Sequence, residues 1–109
     1  MRAIITWLTK EQGGRLRPPV GVGLPPYATV VRFVDCEEAW PPRIAWSLVV
    51  EKEEALSQEY IWLANVRYLV KEAPHESLTP GREFELFEGN RLVARGRLVE
   101  DRDAVVGKT

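Results

Sequence analysis

The chain has 109 residues, of which 45% are hydrophobic and 28% charged, with a net charge of −1. This length predicts one domain, and a domain of this size buries a core without disulfides or metals. The near-neutral charge argues against a general nucleic-acid-binding protein, which would carry a basic excess. The single cysteine, Cys36, excludes a disulfide within the chain and favours a reducing compartment.

No stretch of the sequence approaches the roughly 20 apolar residues that a membrane-spanning helix needs. The apolar run within residues 1–8 also lacks the length and the cleavage site of a secretory signal peptide. We therefore expect a cytoplasmic protein.

Apolar residues alternate with polar ones in several short stretches, which predicts six strands and no amphipathic helix. A charged connector over residues 53–59 allows one helical turn at most. Many short strands separated by glycine and proline turns favour a small β-barrel or sandwich over residues 1–100, with a polar tail at 101–109. The predicted strands span residues 2–9, 27–34, 44–52, 60–70, 83–88 and 91–100.

The loop over residues 10–26 carries the strongest local signal of the sequence. Gly13 and Gly14 permit backbone angles that other residues avoid, and Pro18 stiffens the exit from the loop. A loop this long in a compact domain is usually functional or disordered. Arg15 and Arg17 make it a candidate partner-binding segment, although a purely structural role, with the arginine tied to backbone carbonyls, is the favoured interpretation.

The last two strands predict a hairpin with Gly89-Asn90 as its two-residue turn. Arg91, Arg95 and Arg97 occupy odd positions of the return strand, so we expect them on one face. Together with the arginines of the long loop they form a candidate phosphate-contacting patch. Glutamates on the partner strand, at 83 and 85, are expected to pair with them, which favours a solvated, ion-paired face.

Two motifs resemble the C-terminal β-barrel domain of translation elongation factor Tu. The first strand followed by Lys10-Glu11-x-Gly13-Gly14-Arg15-x-x-Pro18 is similar to the opening of that domain, and the segment from Phe84 to Gly96 is similar to its final hairpin. The resemblance spans about residues 2–100 and implies a closed six-stranded antiparallel barrel. In the family this barrel helps to hold transfer RNA and contacts partner proteins, beside a GTPase domain. This chain has no phosphate-loop motif, so the resemblance implies no GTP binding.

Single residues give weaker functional signals. His75 is the only histidine, and Glu72 and Glu76 are close to it in sequence, yet a loop histidine without catalytic function is the favoured interpretation. Acidic neighbours discourage a thiolate at Cys36. Trp40 precedes two prolines in a loop and is a candidate anchor for a partner. The spacing of these side chains indicates no metal or cofactor site.

Three functions remain open at this point. The first is a non-enzymatic module that binds another protein through the 10–26 loop and the Trp40 loop. The second is RNA binding through the arginine-rich face, and the third is a small enzyme with a loop-built site around His75. The sequence favours them in that order.

Overall fold

The computed structural model describes residues 1–19, 26–36, 44–56 and 60–100. Its elements are six strands, β1 (Arg2–Trp7), β2 (Tyr27–Phe33), β3 (Trp46–Ala55), β4 (Ile61–Tyr68), β5 (Glu83–Glu88) and β6 (Arg91–Val99), with 3₁₀ turns at Lys10–Gln12 and His75–Ser77. The strands form one closed antiparallel barrel in the order β1-β4-β3-β2-β5-β6. This confirms the expected all-β, six-stranded closed barrel.

Closure depends on β1, which pairs with β4 on one side and with β6 on the other. Arg2 lies opposite Val99 and Trp7 lies opposite Ala94, so the first and last strands of the barrel are neighbours. A closed barrel leaves no open sheet edge for pairing with another chain.

Alternate side chains of the strands point into the barrel and form its core. These inward positions carry aliphatic and aromatic residues, which is what a strand buried on one face requires. Rings meet edge to face inside the core, as between Trp7 and Trp62, whose centroids are 4.9 Å apart. The most deeply buried large side chains are Trp7, Phe84, Ile5, Leu48, Leu86, Leu98, Val66 and Val93.

One local prediction was wrong. Residues 53–55 continue β3 instead of starting a helical turn, because Glu54 and Ala55 pair with Leu63 and Trp62 of β4. The partner strand supplies hydrogen bonds that local propensity does not foresee. A register shift between Lys52 and Glu54 accompanies this extension.

The barrel has two ends, which differ in character. The loop end is defined by Trp7, Tyr27 and Glu88, and the segment Thr9–Pro19 lies against it. The cleft end, opposite to it, is defined by Phe33 and Tyr68, where β2 and β4 finish. Within the described part of the chain, no helix has the length and apolar character needed to cross a membrane.

Candidate functional site

The local structure explains why each position of the Gly13-Gly14 pair is a glycine. Thr9 and Gln12 form a capping box around a 3₁₀ turn, and Gly13 ends that turn in the left-handed conformation, with φ at 91°. Gly14 is pressed against the chain, since an added Cβ would lie 2.4 Å from the carbonyl oxygen of Leu8. The start of the loop, over residues 9–14, is therefore held in one defined conformation.

Arg15 is tied down in the same way. Its guanidinium pairs with the carboxylate of Glu88, and its Nε donates to the carbonyl oxygen of Arg17 at 3.1 Å. The Tyr27 hydroxyl donates to the same Glu88 carboxylate. Burial and this hydrogen bond raise the pKa of Tyr27 above its ordinary value. Arg15 thus joins the loop to the final hairpin through a carboxylate, in addition to one backbone carbonyl of the kind expected from the sequence.

The two residues that follow Arg15 in the loop present their side chains to solvent. Leu16 is 70% exposed and is the most exposed large apolar side chain in the described part of the chain. Arg17 is also exposed. Because the flanking residues are held by the capping box, the close approach of Gly14 and the Arg15–Glu88 pair, Leu16 is displayed in a defined position.

The arginines of β6 do not form one face. The β5–β6 register shifts after Leu86, and Val93 and Ala94 are both fully buried although they are adjacent. The extra residue at this bulge reverses which side of the sheet the odd-numbered residues face. Arg91 therefore lies on the same side as Val93, at the loop end, whereas Arg95 and Arg97 face outward. The prediction of a shared face was right for the last two and wrong for Arg91.

Glutamates lie directly across from these arginines, as expected. Arg97 is opposite Glu83, Arg95 is opposite Glu85, and Arg91 is opposite Glu88. Glu85 also pairs with Arg32 of β2 at 3.6 Å. The outer face of β5 and β6 is therefore mixed in charge, and it lacks the uniform positive field that a phosphate backbone favours.

Trp40, the other predicted anchor, lies outside the described residues. Trp62 is buried in the core, whereas Trp46 is only partly buried and packs against Tyr68 at the cleft end. The indole nitrogen of Trp7 is buried without a hydrogen-bond acceptor among the described residues.

His75 lies in the turn that precedes β5, and its side chain binds backbone carbonyl groups of nearby residues. Its Nε2 donates to the carbonyl oxygens of Val70 and Lys71, at 3.1 and 2.9 Å. The ring packs edge-on against Tyr68. No hydrogen bond joins His75 to a carboxylate within the described segments. This geometry fits a histidine that holds a turn together.

A cleft of about 460 Å³ opens at the cleft end of the barrel. It combines residues from the end of β2, the start of β3 and the segment between β4 and β5. Sizes of this order are usual for ligand-binding clefts. The lining residues are Val31, Arg32, Phe33, Asp35, Cys36, Ile44, Trp46, Tyr68, Pro74, Ser77 and Arg82.

Arg82 organises one wall of this cleft. Its guanidinium stacks over the Phe33 ring at 3.8 Å and forms a two-bond pair with Asp35, at 2.6 and 3.2 Å. It also donates to the carbonyl oxygen of Ser77 at 2.9 Å. The pair with Arg82 lowers the pKa of Asp35 below its ordinary value. The end of β2 and the segment between β4 and β5 are thereby joined in one wall of the cleft.

The described residues contain no cluster of three or more histidine, cysteine or acidic side chains that could hold a metal ion. The Cys36 side chain is partly buried at the rim of the cleft. The chain matches no protein-family model, no curated protein and no solved structure.

The cleft was not predicted from the sequence. Its components come from three separate segments, and the Asp35–Arg82 contact joins residues 47 apart.

Proposed function

We propose that this chain is a non-enzymatic protein-binding module with a barrel like the C-terminal domain of elongation factor Tu. Two observations support the likeness. The barrel has six antiparallel strands, and the two motifs that carry the resemblance meet in space, where Arg15 pairs with Glu88. The resemblance implies partner contacts, and it implies no chemistry in this domain.

The observation that carries the binding proposal is the display of Leu16. A loop that is fixed by a capping box, an enforced glycine and an ion pair presents a leucine to solvent at 70% exposure. An anchor that is already ordered loses little conformational entropy on binding. We expect the partner to offer an apolar pocket for Leu16 with an acidic group near Arg17.

The test is a pull-down with the tagged chain from a lysate of its native source, divided into nuclease-treated and untreated halves and analysed by mass spectrometry. A protein partner that survives nuclease and is lost with Leu16→Asp supports the proposal. The matched control is Leu56→Asp, which changes another apolar side chain, 45% exposed, and keeps the partner. A partner that both variants retain would show that the Leu16 surface is not used.

RNA binding remains the rival proposal, and the same experiment separates the two. Recovery of RNA alone, or loss of every captured protein after nuclease treatment, would favour RNA. In that case affinity should fall steeply with salt and should fall further with Arg95→Glu and Arg97→Glu, since contacts to phosphates release counterions.

A further inference from the structure

An exposed arginine lies next to Leu16 in the long loop. The chain bends at Leu16 and Arg17, and the Nε of Arg15 donates to the carbonyl oxygen of Arg17 at 3.1 Å. Leu16 is 70% exposed, and the Arg17 side chain is exposed beside it. A protein that covers Leu16 therefore also meets the charge of Arg17.

The final hairpin brings a second exposed arginine to the same place. Arg91 lies directly opposite Glu88, whose carboxylate pairs with Arg15. Residues that lie directly opposite each other in an antiparallel pair share a face, with Cβ atoms about 5 Å apart. Arg91, which is exposed, therefore borders the contact between the loop and the hairpin.

We call residues 10–19 together with residues 88–91 the loop surface. It has four basic and two acidic residues, hence a net charge of +2, whereas the whole chain has −1. The Glu88 carboxylate already accepts hydrogen bonds from Arg15 and from the Tyr27 hydroxyl. Within the described segments, the guanidinium groups of Arg17 and Arg91 form no ion pair. These two arginines are therefore available to carboxylates of another molecule.

The acidic residues of β3 lie on the other side of the barrel. Beyond its pairing with β2, β3 continues through Glu51, Glu53 and Glu54, and Glu53 is paired with Arg2. The order of the strands places β3 and β4 opposite β6 and β5 in the closed ring. An acidic partner is thus attracted on the side of the loop surface and repelled on the side of β3, so charge gives it one orientation.

The composition of the loop surface suits a protein better than a nucleic acid. Phosphate groups could contact the arginines but would leave Leu16 in water. Unpaired bases stack on aromatic rings, and the loop surface contains no aromatic residue. A protein pocket with apolar walls and acidic borders would cover the leucine and pair with both arginines.

We infer that the partner of the loop surface has an apolar pocket for Leu16 that is bordered by carboxylates, of which one binds Arg17 and another binds Arg91. This inference rests on the proposed function, because it gives the chemistry of the partner at the same site. Arginine and carboxylate groups form directional, two-bond pairs, so the two contacts would position the pocket over Leu16.

The experiment uses the tagged full chain and the proteins that it captures from nuclease-treated lysate of its native source. Arg17→Lys and Arg91→Lys keep the positive charge and supply an amine, which a carbodiimide joins to a contacting carboxylate without a spacer. Mass spectrometry should find each new lysine linked to an aspartate or a glutamate of the captured protein. Arg95→Lys is the matched control, since Arg95 faces outward on the barrel wall, and it should form no such link.

Charge reversal gives a second readout. Arg17→Glu and Arg91→Glu should each weaken capture about fivefold, which is the usual scale for an exposed ion pair, whereas Arg95→Glu should leave capture unchanged. Added salt should weaken capture by the wild type and should have little effect on capture by the variant with both reversals, because salt screens exposed charges.

The outcomes separate this inference from the proposed function. A captured protein that is lost with Leu16→Asp, forms no lysine link and is retained by both charge reversals would overturn the inference and leave the proposed function in place. If no captured protein depends on Leu16, or if nuclease removes every captured protein, the proposed function fails and the inference fails with it.

Discussion

Gly96 lies opposite Phe84 in the barrel wall, and the missing side chain of Gly96 makes room for the aromatic ring. An added Cβ would approach the ring to 2.3 Å and the Ile5 side chain to 3.0 Å. Both neighbours are fully buried. We expect Gly96→Ala to lower the free energy of unfolding by about 1–3 kcal/mol, the usual cost of overpacking. Chemical denaturation would measure it.

The control for that substitution is Arg97→Ala on the same strand, which changes an exposed side chain and should alter stability by less than about 0.5 kcal/mol. Equal stability of Gly96→Ala and the wild type would show that Phe84 moves aside without cost.

Asp35 should make the free energy of unfolding depend on pH in the acidic range. Its hydrogen bond to Arg82 is the main cause of a folded-state pKa below the 3.8 of a free aspartate. The ionised carboxylate is thus favoured in the folded state, so the pair with Arg82 stabilises the fold at pH values above 3.8. This stabilisation is lost as the pH falls through the lower pKa of the folded state. Asp35→Asn should therefore lose less stability than the wild type as the pH falls from neutral to below 3.8.

Thermal unfolding followed at several pH values across that range would check this. Glu76→Gln, which removes an exposed carboxylate from the same region, should follow the wild-type curve. If the Asp35→Asn curve ran parallel to the wild type as well, the pair with Arg82 would have no energetic role.

At the scale of elements, one contact joins the Lys10–Pro19 loop to the β5–β6 hairpin. Arg15 and Glu88 are each about a third exposed, so solvent weakens their attraction. A double-mutant cycle with Arg15→Ala and Glu88→Ala should give a coupling of about 0.5–1 kcal/mol. Arg17→Ala in place of Arg15→Ala should show no coupling to Glu88. A zero coupling for the first pair would mean that the loop is held by its backbone alone.

The strands were predicted well because each has its own alternation and its own turn signals. Predicted and observed bounds agree for β5, and β6 begins at Arg91 after a two-residue turn in which Gly89 has φ at 61°. The extension of β3 was missed because its pairing with β4 is a tertiary effect. The bulge at Val93 was missed because the odd-numbered spacing of the arginines was extended through Leu92-Val93-Ala94, a run of three apolar residues that interrupts the alternation.

The candidate site was predicted only in part, for a related reason. A motif confined to ten residues, such as the one with Gly13 and Gly14, is visible in the sequence, and its structural role could be anticipated. The wall of the cleft depends on Arg82, which precedes β5, meeting Asp35 and Phe33 at the end of the neighbouring strand β2. Such a meeting follows from the order of the strands, which no local pattern encodes.

At the scale of the whole molecule, Leu16 and the cleft residue Ile44 lie at opposite ends of a closed barrel. A strand of six residues spans about 20 Å, which exceeds the distance over which substitutions usually interact. The unfolding effects of Leu16→Asp and Ile44→Asp should therefore add to within about 0.5 kcal/mol in the double variant.

The pairing of β1 with β6 has a consequence for biosynthesis. On the ribosome, residues 2–7 emerge long before residues 94–99, with which they pair. Throughout that interval β1 has one unpaired side, and the barrel core is open to water and to other chains. The nascent protein therefore passes through a period of exposure that ends only when β6 has left the exit tunnel. Cellular holding factors that shield strand edges would be needed most in that period.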